Sequence, residues 1–312
     1  MNKLHSLRRV ASVLCVLLLS MGSSTAVLAQ TPATTVTVGT LQAQRSGDHG
    51  QAVILIPGLQ GGPWVWQQTI AQLQKKHVVY ALTLAGFDGV PAPAASTDGS
   101  GLMDRADASL LQLIQQQKID RPVLVGHSLG GTLALRFASE HPTLIAGVVA
   151  VDGLPIFPGM ERVSAEQRQA MAARMQQQLA AATPEQFKAQ SLAYMQKIGL
   201  VDQQLAAKVA PMNARSDIKA SAQYMAEDLA FDGRPGLKNA NVPILEISPY
   251  YAADFSQPPM VMSEAQKTAY YESLLANAPN AKVMSISPSR HFVMLDQPAK
   301  FQQVLNDFLK SR

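Results

Sequence analysis

Ser128 sits in Gly126-His127-Ser128-Leu129-Gly130, a serine flanked by glycines two positions away on each side. A serine hydroxyl is a poor nucleophile until a base takes its proton, so the chemistry on offer is nucleophilic attack assisted by a histidine. The motif needs a strand, a sharp turn and a helix around it. Pro122 to Val125 reads as a buried strand, and Thr132 to Ser139 reads as a helix stopped at Pro142. Gly126 and Gly130 leave no side chain where strand and helix come close. The helix start also turns free N–H groups and its positive dipole end toward the serine. The plainer reading of the same residues is a glycine-rich strand-to-helix turn with no chemistry.

Two further stretches belong with it. Ile56-Pro-Gly-Leu-Gln-Gly-Gly-Pro-Trp64 is a turn-rich loop after an apolar strand, and Ser289-Arg-His291-Phe-Val-Met-Leu-Asp-Gln-Pro298 follows the last apolar run. With these three motifs, serine first and histidine last, residues 36 to 312 resemble the α/β-hydrolase fold family. The resemblance implies a nucleophile at Ser128 and a general base at His291. Acyl transfer places negative charge on the carbonyl oxygen, and the resemblance supplies its donors as the backbone N–H groups of Leu59 and Leu129. A carboxylate must orient the histidine. The family usually carries it just beyond the strand after the cap, which points to Asp254, although farther from the strand end than is common. Asp152, at the end of the preceding strand, is the rival position, and Glu246 falls inside a strand. The resemblance implies no cofactor, and no His/Asp/Glu spacing for a metal stands out.

The elements that must position these groups are readable from hydrophobic patterning. Val53 to Ile56, His77 to Leu84, Ile145 to Val151, Pro243 to Ile247 and Lys282 to Ile286 read as core strands, and Val36 to Gln44 as one weak edge strand. Helices are expected from Trp64 to Lys76, Asp104 to Gln117, Ala265 to Ala276 and Phe301 to Leu309. Phe87, in a Gly- and Pro-rich loop, is a candidate for the pocket mouth. The expected architecture is α/β, a mostly parallel sheet flanked by helices. Its core comprises residues 30–154 and 242–312, with a helical cap inserted at 155–241. That cap is rich in Ala, Gln and Met and holds six of the 13 methionines. Its carboxylates Glu161, Glu166, Glu227 and Asp228 read as solvated helix faces or as holders of a free amine.

Residues 1–29 read as a secretory signal peptide: Lys3, Arg8 and Arg9, then the apolar run Val10 to Leu19, then Val27-Leu-Ala29. Its removal takes away three basic and no acidic residues, so the formal charge of +4 falls to about +1. Neither nucleic acid nor an acidic membrane surface is implied as a partner, and no stable membrane anchor is expected after cleavage. The single cysteine, Cys15, lies within this leader, which excludes disulfides and thiolate chemistry from the mature chain.

The expectation is a secreted or periplasmic serine hydrolase that cleaves a carboxylic ester of a small to medium apolar substrate through an acyl-enzyme. An aminopeptidase or amidase of the same fold is the alternative, and a non-catalytic binding protein the third reading. Acyl length, leaving group and oligomeric state are not set by the sequence.

Overall fold

The computed structural model describes residues 34–258 and 260–312, and the leader read at 1–29 lies outside them. The chain opens with β1 (Thr34–Val38), β2 (Leu41–Ser46) and β3 (Ala52–Ile56), then α1 (Gln67–Leu73), β4 (Val78–Leu84) and α2 (Leu102–Gln116). β5 (Val123–His127), α3 (Leu129–Glu140) and β6 (Gly147–Val151) follow. Four helices then intervene: α4 (Ala165–Ala180), α5 (Pro184–Tyr194), α6 (Gln203–Asn213) and α7 (Ile218–Ala230). The sheet resumes with β7 (Ile244–Pro249), then a two-stranded ribbon of β8 (Ser256–Gln257) and β9 (Met260–Val261), and α8 (Glu264–Leu274). β10 (Ala281–Ile286), α9 (Val293–Asp296) and α10 (Pro298–Lys310) close the chain.

Eight strands make one sheet in the order β1-β2-β4-β3-β5-β6-β7-β10. From β4 to β10 every pairing is parallel, and only β2 runs against its neighbours. Parallel strands covered on both faces need apolar residues at successive positions, which is why the core strands read as unbroken apolar runs. Side chains alternate between the two faces. In β3, Ile54 and Ile56 join the core that holds Leu110 and Leu113 of α2 and Leu133 and Phe137 of α3. Val53 and Leu55 face the core that holds Leu73 of α1 and Phe301 and Leu305 of α10.

The sequence reading of one edge strand over Val36 to Gln44 is corrected: β1 and β2 form a hairpin turning at Gly39-Thr40. Gly39 has φ +54°, a left-handed value that glycine adopts without strain and that suits a tight hairpin. Phe87 is also corrected. It is fully buried against Tyr224 of α7, with ring centroids 4.8 Å apart, and lies in the core.

The inserted helices start where side chains satisfy their free N–H groups. Ser164 begins α4 and Thr183 begins α5, each accepting from the third residue of its helix at 3.2 Å. Asp217 begins α7 by accepting from Ala220 N–H at 2.7 Å, and its own N–H donates to Gly86 of the core at 2.6 Å. The bond to Gly86, just beyond β4, ties the start of α7 to the C-terminal ends of the strands, where ligands bind in sheets of this kind.

Candidate active site

Ser128 links β5 to α3 with φ 52° and ψ −123°, a conformation that a residue with a Cβ adopts only under strain. Its N–H donates to the carbonyl of Val151 at 2.9 Å, and its carbonyl accepts from Gly131 N–H at 2.7 Å and Thr132 N–H at 3.0 Å. These bonds hold the turn closed. A Cβ on Gly126 would lie 2.1 Å from the Gly130 oxygen, and one on Gly130 would lie 2.3 Å from the Ile56 oxygen. The two glycines are therefore demanded by contact between β5, α3 and the end of β3.

Leu59 follows that strand end, and Leu129 is the first residue of α3. Among the described residues no backbone hydrogen bond uses either N–H. Both residues line the same cavity as Ser128. Two unengaged N–H groups beside a hydroxyl form a place where a carbonyl oxygen can take on negative charge.

His291 follows β10 and lines this cavity too. Its Nδ1 is hydrogen-bonded to Asp152 Oδ2, and the other oxygen of Asp152 accepts from the Tyr271 hydroxyl. The expectation that Asp254 orients the histidine is thereby corrected. Asp254 sits in a helical turn beyond β7, where Arg290 takes both of its oxygens at 2.6 and 2.7 Å. The reason is positional. Asp152 directly follows β6, which lies between β5 and β7, so its side chain comes up beside both Ser128 and His291. The Tyr250-Tyr251 extension carries Asp254 outward to the guanidinium, which also lies over the Tyr251 ring at 5.0 Å. An arginine next to the histidine is a ready ion partner for that carboxylate, and this was the available signal against it.

Charge around Asp152 is arranged in depth. Its burial would raise its pKa, but the ammonium of Lys267, then His291 and the Tyr271 hydroxyl, outweigh this and hold the carboxyl well below the usual range. Lys267 donates to the Pro249 carbonyl and lies over Phe255 and Tyr271, at 5.4 and 5.1 Å from their ring centroids. Burial pulls its pKa down, and Asp152 and Glu246 push it back up. His127 is fully buried, and burial followed by the nearness of His291 pushes its pKa far down, so its ring is neutral. Its Nε2–H donates to the His291 carbonyl at 3.0 Å, and its ring packs 4.5 Å from the rings of His291 and Phe292. His127 thus fastens the backbone of the loop that carries His291.

Glu246 points into this cluster with neither oxygen hydrogen-bonded and no exposure. Burial, then the charge of Asp152, raises its pKa far above the usual value. A group that keeps its proton in the folded state and releases it when unfolded removes stability as pH rises above the unfolded pKa. Glu246→Gln cannot ionise. It is expected to match the parent below pH about 4 and to melt a few degrees higher at pH 8, read by thermal denaturation across that range. An equal or lower melting temperature at pH 8 would sink this account.

Two cavities meet at Ser128. The larger, about 570 Å³, is lined by Ser128, Leu129, Asp152 and His291 together with an apolar and aromatic wall. The smaller, about 190 Å³, shares Leu59, Ser128, Tyr194 and Met225 with it and continues to Leu179, Phe187, Ser191 and Ala222. Two wider surface clefts, of about 770 and 680 Å³, contain none of the groups described above. Of the four cap carboxylates singled out in the sequence, only Asp228 reaches the larger cavity. Glu227 instead accepts from the first N–H groups of α2, Leu102 at 2.9 Å and Met103 at 2.7 Å. One grouping that spacing did not reveal, Asp107 with Glu140 and His141, brings three potential metal ligands together from α2 and the end of α3. The Arg136 guanidinium already occupies Glu140 at 2.8 Å, and none of the three lines the Ser128 cavities.

Comparison with known proteins places this site in context. A model of the alpha/beta hydrolase family matches residues 53–304. A (lyso)-N-acylphosphatidylethanolamine lipase of Mus musculus is 29% identical over 126 residues, 40% of this chain and 35% of the relative. A putative carbamate hydrolase of Serratia proteamaculans is 32% identical over 112 residues, 35% of this chain and 40% of the relative. The matches thus span between a third and two fifths of these relatives. Among solved structures, a putative aryl esterase from Burkholderia cenocepacia superposes with TM-score 0.66 at 24% identity, covering 90% of this chain and 100% of that one. The enol-lactonase from Burkholderia xenovorans does so with TM-score 0.68 at 18% identity, covering 89% and 100%. At these identities the structural likeness speaks for the fold.

Proposed function

The chain belongs to the alpha/beta hydrolase family, and from that premise we propose that it is a serine hydrolase cleaving a carboxylic ester through an acyl-enzyme. The observation that carries the reading is the convergence of Ser128, the Asp152–His291 pair and the free N–H groups of Leu59 and Leu129 on one cavity. His291 takes the Ser128 proton through Nε2 as Oγ bonds to the carbonyl carbon. Asp152 holds the Nδ1 proton and stabilises the imidazolium that forms. The carbonyl oxygen, now negative, is held by the two N–H groups. When the bond from carbon to the leaving oxygen breaks, His291 returns the proton to that oxygen. Water then repeats the sequence on the acyl-enzyme and frees Ser128. An alkoxide departs more readily than an amine, which favours an ester over the amide alternative.

The two cavities divide the substrate. His291 lines the larger and not the smaller, and the leaving group must lie where His291 can protonate it. The acyl group therefore enters the smaller lobe. A void of about 150 Å³ accepts a benzene molecule, so about 190 Å³ accepts an acyl group of roughly six carbons. Export follows from the leader pattern in residues 1–29.

A fluorophosphonate probe tests the reading, because it reacts only with an activated serine. One adduct, mapped by peptide mass to Ser128, is expected, and the intact mass should correspond to a chain starting near Gln30. Absence of an adduct would bring the non-catalytic reading forward. With p-nitrophenyl esters from acetyl to dodecanoyl, kcat/KM is expected to peak near hexanoyl; a strict preference for acetyl would contradict the assignment of the lobes.

A further inference from the structure

The larger lobe holds a carboxyl group that the proposed chemistry leaves unused. Asp228 lines this lobe from α7, one helical turn beyond Tyr224 and three residues after Met225, which line it as well. Among the described residues no cation compensates it. Burial pushes its pKa up to about 7, and the one opposing influence is the Thr132 hydroxyl. That hydroxyl already donates its proton to the Leu154 carbonyl at 2.9 Å. Lys267 lines the same lobe, but its ammonium is taken up by the Pro249 carbonyl and by the charges of Asp152 and Glu246.

A half-buried carboxyl with no ion partner in a mostly apolar cavity disfavours its own charge, and an arriving cation reverses that balance. The surroundings suit one kind of cation. Phe157, Tyr224, Phe255 and Tyr270 line the lobe, and aromatic faces attract organic ammonium groups through their negative π surface. Among the described residues no group of three carboxylates or histidines that could hold a metal ion includes Asp228, whereas an alkylammonium needs only one anion and apolar walls.

We propose that Asp228 binds an organic ammonium group carried by the leaving group of the substrate, against the aromatic wall of the larger lobe. The proposal rests on the ester-hydrolase reading, since it is the position of His291 that assigns the leaving group to this lobe. Asp228 is a binding residue and takes no part in proton transfer.

The test compares two hexanoyl esters at pH 8, one of choline and one of 3,3-dimethylbutanol, which has the same shape without the charge. The parent enzyme is expected to prefer the choline ester by at least about ten-fold in kcat/KM, carried mainly by KM. In Asp228→Asn the preference should fall to about one. Equal rates on both esters in the parent, or an unchanged preference in Asp228→Asn, would overturn the proposal. A second measurement needs no variant: choline should inhibit hydrolysis of p-nitrophenyl hexanoate by the parent more strongly than 3,3-dimethylbutanol does. Equal or weaker inhibition by choline counts against Asp228. Failure of the ester reading itself would show separately, as no phosphonate adduct and no hydrolysis of either ester.

Discussion

Asp152→Asn is expected to lower kcat by about 10⁴-fold with little change in KM, while Asp254→Asn stays within about three-fold of the parent. The asymmetry follows from what each carboxylate holds. Asp152 accepts from His291 Nδ1, so the imidazole keeps its proton there and presents an unprotonated Nε2 toward Ser128. An asparagine amide turned to Nδ1 donates instead of accepting, and the histidine is then held in the tautomer that cannot take a proton from serine. Asparagine also removes the negative charge that stabilises the imidazolium. Lys267 would then face His291 without the intervening anion, which adds to the loss. Asp254→Asn removes only the pair with Arg290. That guanidinium also donates to the carbonyls of Gln196 at 2.8 Å and Leu200 at 3.0 Å, so the loop before His291 stays anchored. Steady-state kinetics on p-nitrophenyl hexanoate decide it, and a larger loss in Asp254→Asn than in Asp152→Asn would reverse the assignment.

Ser128→Gly should abolish turnover, by a factor on the order of 10⁶ in kcat, and yet yield a more stable protein. The φ of 52° and ψ of −123° at Ser128 are easy for glycine and strained for any residue with a Cβ, by about 1–3 kcal/mol. The added freedom of glycine in the unfolded chain offsets part of this, leaving a net gain of about 1 kcal/mol. Ser128→Ala loses the same activity but keeps the Cβ, so its melting temperature should stay near that of the parent. Thermal denaturation of the three proteins separates these effects. If the glycine variant melts no higher than the alanine variant, the turn is not strained and the account is wrong.

The core of the fold was legible because its parallel strands are buried on both faces and must be apolar throughout. The edge was less so. β1 and β2 are short and half exposed, and only Gly39 marks the turn between them. The surroundings of Ser128 were legible for a local reason: backbone packing demands glycine at 126 and 130. The orienting carboxylate was not, because it depends on which strand ends lie side by side. Asp152 and His291 are 139 positions apart, and nothing local to either records their meeting. Asp228 was visible only as one of several cap carboxylates. Whether Glu227 or Asp228 faces the cavity depends on the rotation of α7, which packs against α2 and α4.

The position of β10 bears on when such a protein could first act during its synthesis. Among the described strands β10 comes last in the sequence, and it pairs with β7 alone at the margin of the sheet. His291 follows it directly. A nascent chain that has emerged as far as β7 already carries Leu59, Ser128, Leu129 and Asp152, but not His291. On the proposed mechanism the order of residues along the chain acts as a clock: reactivity waits until β10 pairs with β7, a non-local contact that brings His291 beside Asp152.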